Sequence, residues 1–136
     1  MSDTLAWKPE YSVRIAEIDR QHQKLFRMTQ ELRRSIASGH GQSVIEVMIA
    51  RLVNYTIEHF ATEESLMEEH GFPGTAAHRL EHNLLTMEIN RLQNECETEK
   101  ADVAVKLLNF LQQWQEQHIL KTDMEYADFL SARIEG

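Results

Sequence analysis

Seven histidines fall in 136 residues, at positions 22, 40, 59, 70, 78, 82 and 118, and the chemistry of this sequence concentrates there. Two pairs have the spacing of helical metal ligands, His59 with Glu63 and His78 with His82. Residues four apart on a helix stand one above the other on one face. Both side chains can then converge on a cation, which needs several imidazole or carboxylate donors at one point. His118 and Asp123 make a third pair, five residues apart. Five helical steps leave an offset of about 140°, so these two reach a common centre only if the helix loosens there or if Asp123 spans two metals from the side. Chance predicts roughly 0.9 His-x-x-x-Glu, 0.3 His-x-x-x-His and 0.26 His-x-x-x-x-Asp matches in a chain of this composition. Each pair alone is weak, whereas all three together, at roughly 0.07 by chance, form a specific pattern.

Apolar periodicity supplies the elements that must position these residues, and it predicts an all-α chain of four long helices. Trp7 to Ser12 reads as an extended lead-in, because Pro9 disfavours helix at Lys8. Asp19 is the expected N-cap of a first helix running to about Ser38 and stopping at Gly39-His40-Gly41. Its apolar line of Leu25/Phe26, Leu32 and Ile36 extends back one turn to His22. Ser43 and Glu46 have the spacing of a capping box that would open the second helix. That helix carries Ile45, Ile49, Leu52, Thr56, His59, Glu63 and Leu66/Met67 on one stripe and ends at Gly71-Phe72-Pro73-Gly74. Thr75 is the expected cap of a third helix, whose stripe is His78, His82, Leu85, Ile89, Leu92 and Cys96. After a polar loop near Glu97 to Lys100, a fourth helix from Asp102 aligns Val103/Ala104, Leu107, Leu111, Trp114 and His118. Tyr126, Phe129/Leu130 and Ile134 mark a short C-terminal helix after Asp123. Met28, Met48, Met67, Met87 and Met124 read as packing residues.

Short connections make an antiparallel up-down-up-down four-helix bundle the expected architecture. In such a bundle His22, His59, His78, His82 and His118 share one end. Any one of them is readily explained as a hydrogen-bonded core or surface residue. His40 and His70, which match no ligand spacing, are read that way, as surface residues. Five histidines and two carboxylates on core faces need compensation, because burying polar and charged groups unpaired is costly. A metal supplies it. Seven ligands exceed the four of a zinc site and suit two octahedral metals. Five imidazoles, two bridging carboxylates and one bridging oxygen then leave a single open position, which suits iron binding a small diatomic ligand.

The remaining composition narrows the alternatives. The length fits one domain, residues 1–136, and 5 Gly with 2 Pro fit long helices with few turns. A formal charge of −8 argues against nucleic acid and against direct contact with an anionic membrane. One cysteine, Cys96, leaves no internal disulfide framework and no cysteine-rich zinc module. No stretch approaches a membrane span, and Met1 to Glu10 lacks the pattern of a signal peptide, so the expected location is cytoplasmic.

Ile18-Asp-Arg-Gln-His22, His59-Phe-Ala-Thr-Glu63, His78-Arg-Leu-Glu-His82 and His118-Ile-Leu-Lys-Thr-Asp123 resemble the motifs of the hemerythrin family, and the resemblance runs from Trp7 to Tyr126. It is closest in look to bacterial hemerythrin domains, including those at the C-terminus of methyl-accepting chemotaxis receptors. The resemblance implies two non-haem irons with an oxo or hydroxo bridge and dioxygen as a reversible ligand. It implies His78, His82 and His118 on the coordinatively full iron, His22 and His59 on the iron with the vacancy, and Glu63 and Asp123 as bridges. Phe26, Trp114 and Ile119 are the expected apolar wall of the oxygen pocket, and Gln115 is polar where some relatives carry an aliphatic residue. The implied function is oxygen storage and delivery, or oxygen and redox sensing alongside other domains of a larger receptor chain, without enzymatic turnover. A di-iron oxidase or peroxidase and a metal-free helical interaction module are the competing classes. The balance of ligands argues against a ferritin-like oxidase, whose centre is rich in carboxylates.

Overall fold

The computed structural model describes residues 7–135. Met1 to Ala6, at the start of the segment read for a leader, lie outside the described residues, as does the side chain of Ile134. Helix α1 spans Ala16–Ala37, α2 Gly41–His70, α3 Thr75–Glu95, α4 Lys100–Gln113 and α5 Asp123–Glu135. A π-helical segment, Trp114–Thr122, joins α4 to α5. The four long helices run up, down, up and down, with α1 packed on α2 and α4, and α3 packed on the same two. Among the described residues there is no strand, and no helix is long and apolar enough to cross a membrane.

The expected stripes are the buried faces, but the helix starts differ from the sequence expectation. Helix α1 begins three residues before Asp19, whose carboxylate instead accepts from the Val13 N–H at 2.8 Å and the Ser12 hydroxyl at 2.5 Å. That pairing fixes the turn leading into α1, where Arg14 is the one non-glycine described residue with positive φ, at 62°. Helix α2 opens at Gly41, and no capping box forms. The Ser43 hydroxyl donates to the His40 carbonyl at 3.2 Å, and Glu46 reaches across to Lys100 at 2.8 Å. Thr75 is the first residue of α3 rather than its cap, and its hydroxyl donates to the Phe72 carbonyl at 2.6 Å. Lys8 is extended, as Pro9 requires, but Pro9–Tyr11 then forms one 3₁₀ turn rather than continuing extended. Tyr11 from this turn packs its ring 5.7 Å from that of Phe26. The stop after α2 is as expected. Gly71 takes φ +67°, which costs glycine nothing, and the next N–H, of Phe72, returns to the Met67 carbonyl at 2.9 Å.

One large core, from Leu25 and Phe26 through Leu52 and Leu92 to Trp114 and Ile119, fills the centre of the bundle and the end away from the histidines. Two small clusters, Val13-Ile18-Ala127 and Met67-Tyr126-Leu130, close the other end against α5. The histidines lie between. Met28, Met48 and Met67 pack in the interior, but Met87 is 65% exposed and is no core residue. His40 is exposed and His70 half-buried, and neither joins the clustered metal donors.

Candidate metal centre

The first three helices deliver their donors through their buried stripes. His22 stands one turn before Phe26 on α1; His59 and Glu63 are successive turns of α2, and His78 and His82 successive turns of α3. His118 lies in the π-helical segment, and Asp123 opens α5. All seven are buried, none more than 3% exposed. The π-helical segment resolves the awkward five-residue spacing. The Asp123 N–H donates to the His118 carbonyl five residues back, so the turn is wider than an α-turn. The Asp123 carboxylate is thereby placed 3.2 Å from His118 Nε2. Of the two routes left open by the spacing, loosening of the helix is present.

Two overlapping groups of donors result, Glu63-His78-His82-His118 and His22-His59-Glu63-Asp123, each with its ligand atoms within 4.8 Å of one another. Asp123 divides its oxygens, Oδ1 lying 2.9 Å from His78 Nε2 and Oδ2 lying 3.0 Å from His22 Nε2. Glu63 Oε1 is 3.0 Å from His82 Nε2 and 3.4 Å from His59 Nε2, while Oε2 faces His22 at 3.6 Å. Neighbouring donors on an octahedral metal with bonds of about 2.1 Å stand about 3.0 Å apart. All five Nε2 atoms, Glu63 Oε1 and both Asp123 oxygens are buried without a hydrogen-bond partner. Eight unpartnered donors in the interior are expensive unless a cation joins them. The residues therefore fit a binuclear metal centre.

The far side of the rings explains why Nε2 is the atom turned inward. His59 Nδ1 lies 2.6 Å from Gln21 Oε1, His82 Nδ1 2.8 Å from Glu64 Oε2, and His118 Nδ1 2.8 Å from Glu81 Oε1. These oxygens can only accept, so each Nδ1 carries the proton and each Nε2 its lone pair. Gln21 is oriented in turn by donating its Nε2–H to the Thr62 hydroxyl at 3.3 Å. The Tyr126 hydroxyl donates to Glu63 Oε2 at 2.5 Å. Sequence reasoning missed the partnerships of Gln21, Glu64 and Glu81, because each crosses between helices and has no local spacing to betray it.

Burial opposes charge on the imidazoles, yet the Asp123 and Glu63 carboxylates facing them raise His22 to about 9 and His78 to about 10. His118 also rises against its burial, beside Asp123. Burial wins at His59, lowering it to about 4. Burial alone would raise the two carboxyls, but the surrounding imidazoles hold both below the ordinary range.

Phe26, Trp114 and Ile119 are all buried in the main core. Trp114 lies with its ring 6.3 Å from Tyr55 and 5.5 Å from Phe60. Tyr55 stacks on His59 and Phe60 on His82, so Trp114 backs the imidazoles through two intermediate rings. Gln115 is buried with both amide atoms unpartnered.

A four-helix bundle in which α1, α2, α3 and the π-helical and α5 continuation of α4 send imidazole or carboxylate donors to two overlapping clusters defines a binuclear metal-binding protein. The profile of the Hemerythrin HHE cation binding domain matches residues 13–130, and the chain belongs to the hemerythrin family. It is 33% identical to a bacteriohemerythrin of Stenotrophomonas maltophilia, over 96% of this chain and 84% of that one. It is 32% identical to the bacteriohemerythrin of Methylococcus capsulatus, over 90% of this chain and 93% of its relative. Among solved structures, a leucine-to-alanine variant of hemerythrin superposes with a TM-score of 0.82 at 30% identity, covering 93% of this chain and 96% of that one. Wild-type hemerythrin gives 0.75 at 27% identity, covering 93% and 97%. The cofactor of such a domain is a pair of non-haem irons, with dioxygen as its ligand.

Proposed function

We propose that this chain, as one domain, binds dioxygen reversibly, with His78, His82 and His118 on one iron, His22 and His59 on the other, and Glu63 and Asp123 bridging them. The observation that carries this reading is the set of five unpartnered Nε2 atoms facing two shared carboxylates in a dry interior. When bound, the irons supply the electrons that dioxygen takes up and returns. The protein's own part is to hold the donors and exclude water. Phe26, Trp114 and Ile119 form the dry wall, which disfavours charged and hydrated species that would promote oxidation in place of release.

The protein reconstituted anaerobically with ferrous iron is expected to hold two irons per chain and to change its optical spectrum with oxygen, reversibly under argon. Sustained oxygen consumption with a reductant would favour an oxidase or peroxidase instead. His118→Ala is expected to lose iron, and a variant retaining two irons with parental stability would refute its assignment. Ile119→Glu is expected to retain both irons and to shorten the life of the oxygenated form, and an equally long-lived form would remove Ile119 from the pocket.

Within this reading we favour sensing in the cytoplasm over storage. Both carboxylates are tied to α5, Asp123 by being its first residue and Glu63 through Tyr126. A change at the centre would be passed to that helix and from it to other domains or partners. Hydrogen exchange along α5 should differ between the deoxygenated and oxygenated protein, and equal exchange would leave storage and delivery as the function.

A further inference from the structure

The two halves of the centre differ in what stands behind their imidazoles. On one side, His82 Nδ1 and His118 Nδ1 each meet a carboxylate, Glu64 and Glu81, at 2.8 Å. On the other, His59 Nδ1 meets the neutral amide oxygen of Gln21 at 2.6 Å, and His22 Nδ1 is buried without a partner. The three acceptors come from three different places: Gln21 from α1, Glu64 from the far end of α2, and Glu81 from between the two histidines of α3.

We infer that Glu64 and Glu81 are positioning residues that make the iron held by His78, His82 and His118 the more readily oxidised of the two. The inference rests on the ligand assignment proposed above. A carboxylate accepting the Nδ1–H draws that proton toward itself, leaves more electron density on the ring and makes Nε2 a stronger donor. A stronger donor favours the more highly charged metal. An amide oxygen carries no net charge and does this more weakly, and an unpartnered Nδ1–H not at all. The rings are at most 2% exposed, so water screens the interaction little on their side. Glu64 is fixed further by the Arg79 guanidinium at 3.3 Å, which orients it while withdrawing part of its charge.

Glu64→Gln and Glu81→Gln keep an accepting oxygen and remove the charge, whereas Gln21→Glu adds a charge on the opposite side. Iron content and the potentials of the two one-electron steps are to be measured on each loaded protein, with Mössbauer spectra distinguishing the two irons. Each charge-removing variant should keep two irons and weaken the preference of its own iron for the oxidised state about tenfold, or about 59 mV for a one-electron couple. The first oxidation potential should rise and the separation between steps shrink. Gln21→Glu should shrink the separation from the other side, by lowering the second potential. Potentials unchanged in variants that keep both irons would overturn the inference. So would loss of iron from the Gln variants, which would show that the carboxylates hold the site together rather than bias it. In the metal-free protein, nitrogen NMR should find His82 and His118 protonated at Nδ1, and the opposite tautomer would overturn the inference independently of iron. A parent protein that fails to bind two irons would instead sink the ligand assignment itself.

Discussion

The two ends of the bundle are built from the same four helices and the same periodicity, yet they are held together by different forces. Away from the centre, Leu32, Ile45, Ile49, Leu92, Val103 and Leu107 meet as hydrocarbon alone. Each such leucine or isoleucine contributes about 1.5–3 kcal/mol on leaving water, and that end is complete without any ligand. At the other end the same buried stripes carry His22, His59, Glu63, His78, His82, His118 and Asp123. Eight of their donor atoms face one another there without forming a hydrogen bond. One end is therefore stable through burial, and the other is completed by what binds there. A single amphipathic design thus produces a rigid scaffold and a site whose stability depends on its cofactor.

The sharpest way to break this contrast is to remove the carboxylate common to both donor groups. Glu63→Ala is expected to lose both irons and to destabilise the protein by about 3–5 kcal/mol, since His22, His59, His82 and Tyr126 all lose a buried partner. Iron analysis and calorimetry check this, and a variant still holding two irons would show that Glu63 is not shared.

At the opposite end, Leu52→Ala should cost about 2–5 kcal/mol by opening a cavity while leaving the iron content at two. If it lost iron as readily as the Glu63 variant, the two ends would form a single unit and the contrast would fail.

Tyr126→Phe removes one hydrogen bond to a charged acceptor, worth about 1.5–3 kcal/mol, without changing a ligand. It should lower the melting temperature modestly and increase hydrogen exchange in α5. An unchanged exchange pattern would separate α5 from the centre.

The smallest expected effect is on pH dependence, and it belongs to the metal-free protein. His22 and His78 are raised from 6.5 to about 9 and about 10, so their contribution to stability is complete below pH 6.5 and is lost as pH rises through 9–10. His59, lowered to about 4, has the opposite sign: its contribution is present above pH 6.5 and is lost as pH falls toward 4. Glu63 and Asp123 are depressed, so theirs is present above the ordinary carboxylate range and is lost in acid. The melting temperature of the metal-free protein should fall between pH 6.5 and 10, and the iron-loaded protein, whose imidazoles are no longer free to bind protons, should show a flatter profile over that range.

Legibility in the sequence followed the range of the interactions concerned. The stripes through His22, His59 and Glu63, and His78 and His82 were readable because a helix repeats every few residues, and the structure buries all of them. The stops at Gly39 and Gly71 were readable for a similar reason, since both adopt the positive φ that glycine tolerates. The helix starts were not. Ser43 and Glu46 have the spacing of a capping box, but Lys100 on a neighbouring helix takes Glu46 away.

The amino-acid sequence by itself determined the all-α architecture, the donor types and the helix that carries each of them. These depend on residue chemistry and on spacings of three to five residues. Tertiary structure alone decided which nitrogen of His59, His82 and His118 faces inward, because that rests on Gln21, Glu64 and Glu81 reaching histidines 18 to 38 residues away in the chain. It also decided that the helix widens between Trp114 and Thr122. The sequence required either a loosened helix there or an Asp123 reaching across from the side, two routes that do not exclude each other. Only the packed bundle, which must bring His118 and Asp123 to one point, selects the wider turn.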